Sequence, residues 1–131
     1  MNRREIAEKA REDLEALCNI KPTESWEMST AHSDAIFYHN SWSKGYTFVG
    51  QICTIKHKRM VTAEISISYY EDGELMVSMP LHGKSQLSRW WRMISKNGWY
   101  VRCQNINDVV DVVQQIIDMS EMIYGGKNAQ N

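Results

Sequence analysis

Met60-Val61-Thr62-Ala63-Glu64-Ile65-Ser66-Ile67-Ser68-Tyr69-Tyr70 is the stretch on which the fold turns. Val61, Ala63, Ile65, Ile67 and Tyr69 share one parity, and Thr62, Glu64, Ser66 and Ser68 share the other. Successive side chains of a strand point to opposite faces, so the alternation predicts one face on a core and one on water. Antiparallel sheets allow that arrangement. Glu71-Asp72-Gly73-Glu74 comes next, and its Asp-Gly pair suits the positive φ angles of a tight hairpin turn. Leu75, Val77 and Met79 then form the inward set of a second strand, which Pro80 closes.

Working outward, Lys56-His57-Lys58-Arg59 reads as the preceding hairpin tip, and Tyr46 to Ile55 as the strand that feeds it. Trp26 to Thr30 and Ala35 to His39 are shorter strand candidates. Upstream lies a helix over about residues 3 to 19, with Asn2 as its cap and Ile6, Ala10, Leu14 and Leu17 on one stripe. Glu8, Glu12, Asp13, Arg4 and Arg11 are expected on its wet face. Lys21-Pro22-Thr23 ends it, because the residue before proline is pushed out of helical geometry.

Downstream, Ser85 can cap a helix whose stripe is Leu87, Trp90, Trp91 and Ile94, with Asn97-Gly98 as its stop signal. Trp99 to Cys103 is short and β-prone. A last helix starts at Asn105 or Asn107 and runs to about Tyr124. Its stripe is Val109, Val112, Val113, Ile116, Ser120 and Ile123, widened by Val110 and Ile117. The predicted fold is α+β. An N-terminal helix leads into an antiparallel meander of four to five strands, then helix, strand and helix, with the helices on one face of the sheet. Residues 1–124 form a single domain and 125–131 a flexible tail. Several small folds of unrelated roles share this order, secretion chaperones and other peptide binders among them. That is fold-level analogy and names no family.

A chain of 131 residues fits one domain, and 43% hydrophobic against 24% charged residues is ordinary globular composition. No apolar run approaches the roughly 20 residues of a membrane span, and Met1-Asn2-Arg3-Arg4-Glu5 leads into no signal core. The three cysteines, Cys18, Cys53 and Cys103, are far apart and lack metal-ligand spacing, so buried free thiols in a reducing cytoplasm are expected.

The net charge of −1 conceals segregation. No acid lies between Asp34 and Glu64, where Lys44, Lys56, Lys58 and Arg59 stand. None lies between Glu74 and Asp108 either, where Lys84, Arg89, Arg92, Lys96 and Arg102 stand. The centre of the chain is therefore basic and its end helices acidic. A basic centre attracts phosphate or acidic protein surface, and the two regions could also meet across a symmetric dimer. Ser88-Arg89-Trp90-Trp91-Arg92 has the aromatic–basic composition of a nucleic-acid stacking site, but its tryptophans lie on the apolar stripe. At least one of them is expected in the core, leaving Arg89, Arg92 and Lys96 as an exposed basic edge. Trp42, in the stretch Asn40-Ser41-Trp42-Ser43-Lys44-Gly45 that reads as a loop, is the candidate aromatic anchor.

Catalytic motifs are lacking. There is no GxGxxG, P-loop or GxSxG. His82-Gly83-Lys84-Ser85 ends as a P-loop does, but Met79 stands where its first glycine should be. His32, Asp34 and His39 are close enough to suggest a metal-dependent enzyme, yet their spacing matches no helical pairing, and on a strand His39 would point away from Asp34. The reading is a non-enzymatic protein-binding module without a cofactor: an inhibitor, adaptor or chaperone-like factor such as mobile elements carry. Its partner-binding residues would be Trp42, Lys56, Lys58, Arg59, Arg89, Arg92 and Lys96. Nucleic-acid binding through the same basic centre is the alternative.

Overall fold

The computed structural model describes residues 3–30, 41–43, 46–59, 63–70, 73–79, 85–95 and 100–125. The element order is α1 (Arg3–Leu17), β1 (Trp26–Thr30), β2 (Ser41–Ser43), β3 (Tyr46–His57), β4 (Glu64–Tyr70), β5 (Leu75–Ser78), α2 (Gln86–Ile94), β6 (Tyr100–Cys103) and α3 (Ile106–Ser120). A π-helical turn, Glu121–Gly125, extends α3. The expected α+β arrangement is present, with the N- and C-terminal helices packed against an antiparallel sheet.

The six strands run in the order β1-β3-β4-β5-β6, with β2 also on β3. β1 pairs with the end of β3, from Trp26 opposite His57 to Thr30 opposite Cys53. β2 pairs with its beginning, from Ser41 opposite Phe48 to Ser43 opposite Tyr46. Long β3 thus serves two short strands along one edge. The strand expected at Ala35–His39 lies outside the described residues. So does the start of the expected strand at Met60; its described part begins as β4 at Glu64.

The β4–β5 hairpin turns at Gly73. Gly73 takes φ 88° and donates its N–H to Tyr70 O at 3.0 Å, while Tyr70 N donates to Glu74 O at 2.8 Å. Ile65, Ile67 and Tyr69 of β4, with Leu75 and Val77 of β5, enter the main core at 0% exposure. The opposite face departs from expectation. Ser68 and Tyr70 are also buried, and Tyr70, Met76 and Tyr100 form a second apolar cluster there. The sheet is therefore covered on both sides at β4 and β5, because the rings of Tyr70 on β4 and Tyr100 on β6 pack across β5, together with Met76, on this face.

Helix packing completes the main core. α3 lies on β5 and β6, flanked by α1 and α2. It buries Val109, Val113, Ile116, Ile117 and Ser120, the expected stripe. Asn105 caps it by accepting from Asp108 N at 3.0 Å, and Ser85 caps α2 by accepting from Ser88 N at 3.1 Å. Trp26 Nε1 donates to Ser120 Oγ at 2.9 Å inside the core, tying β1 to α3. Thr23 sits at φ 63°, unusual for a β-branched residue. Its hydroxyl donates to Glu121 Oε1 at 2.7 Å and accepts from Ser25 N at 3.2 Å, which holds the turn into β1.

α1 carries the main correction. Asp13, expected on the wet face, is 6% exposed and accepts a hydrogen bond from the Tyr69 hydroxyl. Lys9 lies 3.4 Å from the same carboxylate, stands over the Tyr69 ring and donates to Gly73 O. Burial of Asp13 follows from Tyr69, whose hydroxyl would otherwise be a buried donor in need of an acceptor.

Candidate basic interaction surface

The expected binding residues fall into two groups on separate elements. Lys56 is the next-to-last residue of β3, and Lys58 and Arg59 open the β3–β4 connection; all three are exposed. Lys58 N donates to Ser25 O at 2.8 Å, and Arg59 N donates to His57 Nδ1 at 3.1 Å. The His57 ring meets Trp26 edge-on, with centroids 5.0 Å apart. Burial holds the His57 pKa below its usual range. The Glu121 carboxylate opposes that effect and Arg59 adds to it.

This group is not purely basic. Lys56 stands opposite Glu27 on β1 and opposite Glu64 on β4. Register partners share a face of the sheet, so a carboxylate flanks Lys56 on each side. Glu121 adds a third acid near His57. The field of the tip is thereby partly cancelled within the fold.

α2 holds the second group. Its capping serine and its i, i+3, i+4 apolar spacing turn Leu87 and Trp91 into the core, Trp91 at 0% exposure. The expectation of a core tryptophan is met by Trp91. Trp90 is half-buried and packs against the core edge. Gln86, Arg89, Arg92 and Met93 face outward, and Met93 is 83% exposed. No acid occurs in α2. The helix therefore presents two guanidinium groups beside an exposed thioether and the rim of an indole. Tryptophan, methionine and arginine are the side chains enriched at protein interfaces.

Trp42 lies in strand β2, opposite Thr47, rather than in the loop expected for it. The chain there is extended because β3 runs on past β1 and offers a free edge. The Trp42 side chain, Lys96, and the metal candidates His32, Asp34 and His39 lie outside the described residues. Sequence reasoning missed Met93, although it falls four residues after Arg89 and so on the same helical face.

Acidic surface lies on the neighbouring helices. Glu5, Glu8, Glu12 and Glu15 of α1 are exposed at spacings of three and four, and Asp108, Asp111 and Asp118 of α3, at spacings of three and seven, are exposed as well. α3 is thus acidic without a base and α2 basic without an acid, whereas α1 mixes its glutamates with Arg3, Arg4, Lys9 and Arg11.

Two of the three thiols are inert by environment. Burial pushes Cys53 up to about 12 and Cys103 up to about 11, the latter with help from Asp108. Cys18 is exposed, contrary to the expectation of buried thiols; it follows the last residue of α1, and its thiol turns back to Leu14 O. No described helix is long and apolar enough to cross a membrane. Comparison with protein-family models, curated proteins and solved structures gave no significant match.

Proposed function

We propose that this chain is a small non-enzymatic protein-binding module, an inhibitor, adaptor or chaperone-like factor of the kind mobile elements carry. It engages an acidic protein surface through its basic face. The observation that carries this reading is the outward side of α2, where Arg89, Arg92 and the 83%-exposed Met93 stand together on a helix without an acid. Arginine supplies bidentate pairing to carboxylates, and the apolar neighbours supply desolvated area. Lys56, Lys58 and Arg59 contribute long-range attraction more than contact energy, since Glu27 and Glu64 stand beside Lys56. Two buried free thiols suit a reducing cytoplasm. A second copy of the chain meets the requirement for an acidic partner, because α3 and its π-helical turn carry acids and no base.

Affinity capture from the native host, with and without nuclease, tests the reading. Wild-type protein should retain an acidic partner in both arms, and R89E/R92E should lose it. Capture that disappears with nuclease and weakens steeply with salt would replace this reading with nucleic-acid binding, since each neutralised phosphate releases counterions. Capture that survives R89E/R92E but fails in K56E/K58E would move the contact to the hairpin tip.

A further inference from the structure

The large hydrophobic side chains left exposed among the described residues are Met93, at 83%, and Met122, at 80%. Each stands in a charged helical face, and the two faces have opposite sign. Around Met93 are Gln86 and Arg89; around Met122 are Gln115 and Asp118. The spacing is the same in both: three residues from glutamine to the charge, four from the charge to methionine. The half-buried apolar residues match as well, Trp90 following Arg89 and Met119 following Asp118. A shift of one helix along the other therefore aligns glutamine with glutamine, Arg89 with Asp118, and Met93 with Met122.

We infer that the occupant of the α2 face is a second copy of this chain, docked through the C-terminal end of its α3 and the π-helical turn that follows. The inference rests on the protein-binding reading above and names the partner for that same surface. Charge complementarity selects the occupant: α2 has no acid, and α3 with its π turn has no base. Asp118 is exposed, and its carboxylate accepts a local bond from Gln114 Nε2 at 3.0 Å. An arginine of a second copy can therefore reach it without breaking the core. Met93 on Met122 removes from water the two large hydrophobic side chains left exposed among the described residues, and thioethers tolerate an imperfect fit. Every copy carries both faces, so the contact either forms twice about a two-fold axis or repeats from copy to copy, and both raise the mass above the monomer's.

Sedimentation velocity across a concentration series, at low and high salt, tests the contact. At low salt the wild-type mass should rise above the monomer's 15.3 kDa, and added salt should lower it. R89D and D118R should each weaken association by roughly tenfold or more. The double variant R89D/D118R should restore it, since the exchanged charges again meet with opposite sign across the contact. M93S should weaken association without changing its salt response. Matching circular dichroism melts confirm that each exposed variant folds. A wild type that stays monomeric up to about 0.5 mM overturns the inference. So does a dimer indifferent to R89D, or a double variant no better than its parents. If the wild type is monomeric but an acidic host protein is captured through Arg89, self-docking fails and the protein-binding reading stands.

Discussion

Replacing Tyr69 by phenylalanine removes a single oxygen from a fully buried side chain, and the consequence can be worked from its surroundings. The lost hydroxyl donates to the carboxylate of Asp13, itself 6% exposed. A hydrogen bond to a charged group contributes about 1.5–3 kcal/mol. Its loss leaves Asp13 with Lys9, 3.4 Å away, as its remaining charged neighbour among the described residues. Y69F should therefore lower the free energy of unfolding by about 2 kcal/mol, with no cavity term because the ring stays. D13A should cost a similar amount, since the buried Tyr69 hydroxyl then lacks its acceptor. Urea unfolding of the wild type, both single variants and the double variant closes a thermodynamic cycle. The coupling energy should be about 1.5–3 kcal/mol, because each single change already breaks the shared bond. A coupling near zero, or a Y69F variant as stable as the wild type, would refute the placement of α1 against β4.

Alkaline pH should destabilise the fold through the buried thiols. Their folded pKa values lie above the ordinary 9.0, so the stabilisation is complete below pH 9 and is lost as pH rises towards 12 for Cys53 and 11 for Cys103. At pH 10 each thiol should cost about 1.4 kcal/mol, and C53A should flatten the decline measured by denaturant titration. S120A removes the acceptor of the buried Trp26 indole N–H and should cost about 1–3 kcal/mol, read as a lower midpoint in thermal unfolding. A native thiol titration should show Cys18 reacting first, with Cys53 and Cys103 following only on unfolding; equal reactivity of all three would contradict their burial.

Local signals carried most of the architecture. The two-residue alternation across Ile65, Ile67 and Tyr69, the turn at Gly73 and the caps Ser85 and Asn105 all act over a few residues, so they can be read without knowing what packs where. The same holds for Trp91, whose place on an apolar helical stripe led it into the core. The candidate surface was half legible, since composition named Arg89 and Arg92 but not the exposed methionine beside them. Contacts between distant segments decided the rest. Asp13 is buried because Tyr69, 56 residues away in the chain, brings a hydroxyl to α1. Lys56 is flanked by Glu27 and Glu64 because β1 and β4 pair with β3 in a register that no local pattern reveals. Composition counts charges along a line, whereas the energy of a charge depends on its neighbours in space. Only the tertiary structure could set the flanked Lys56 apart from Arg89 on acid-free α2, two basic groups that look alike in sequence.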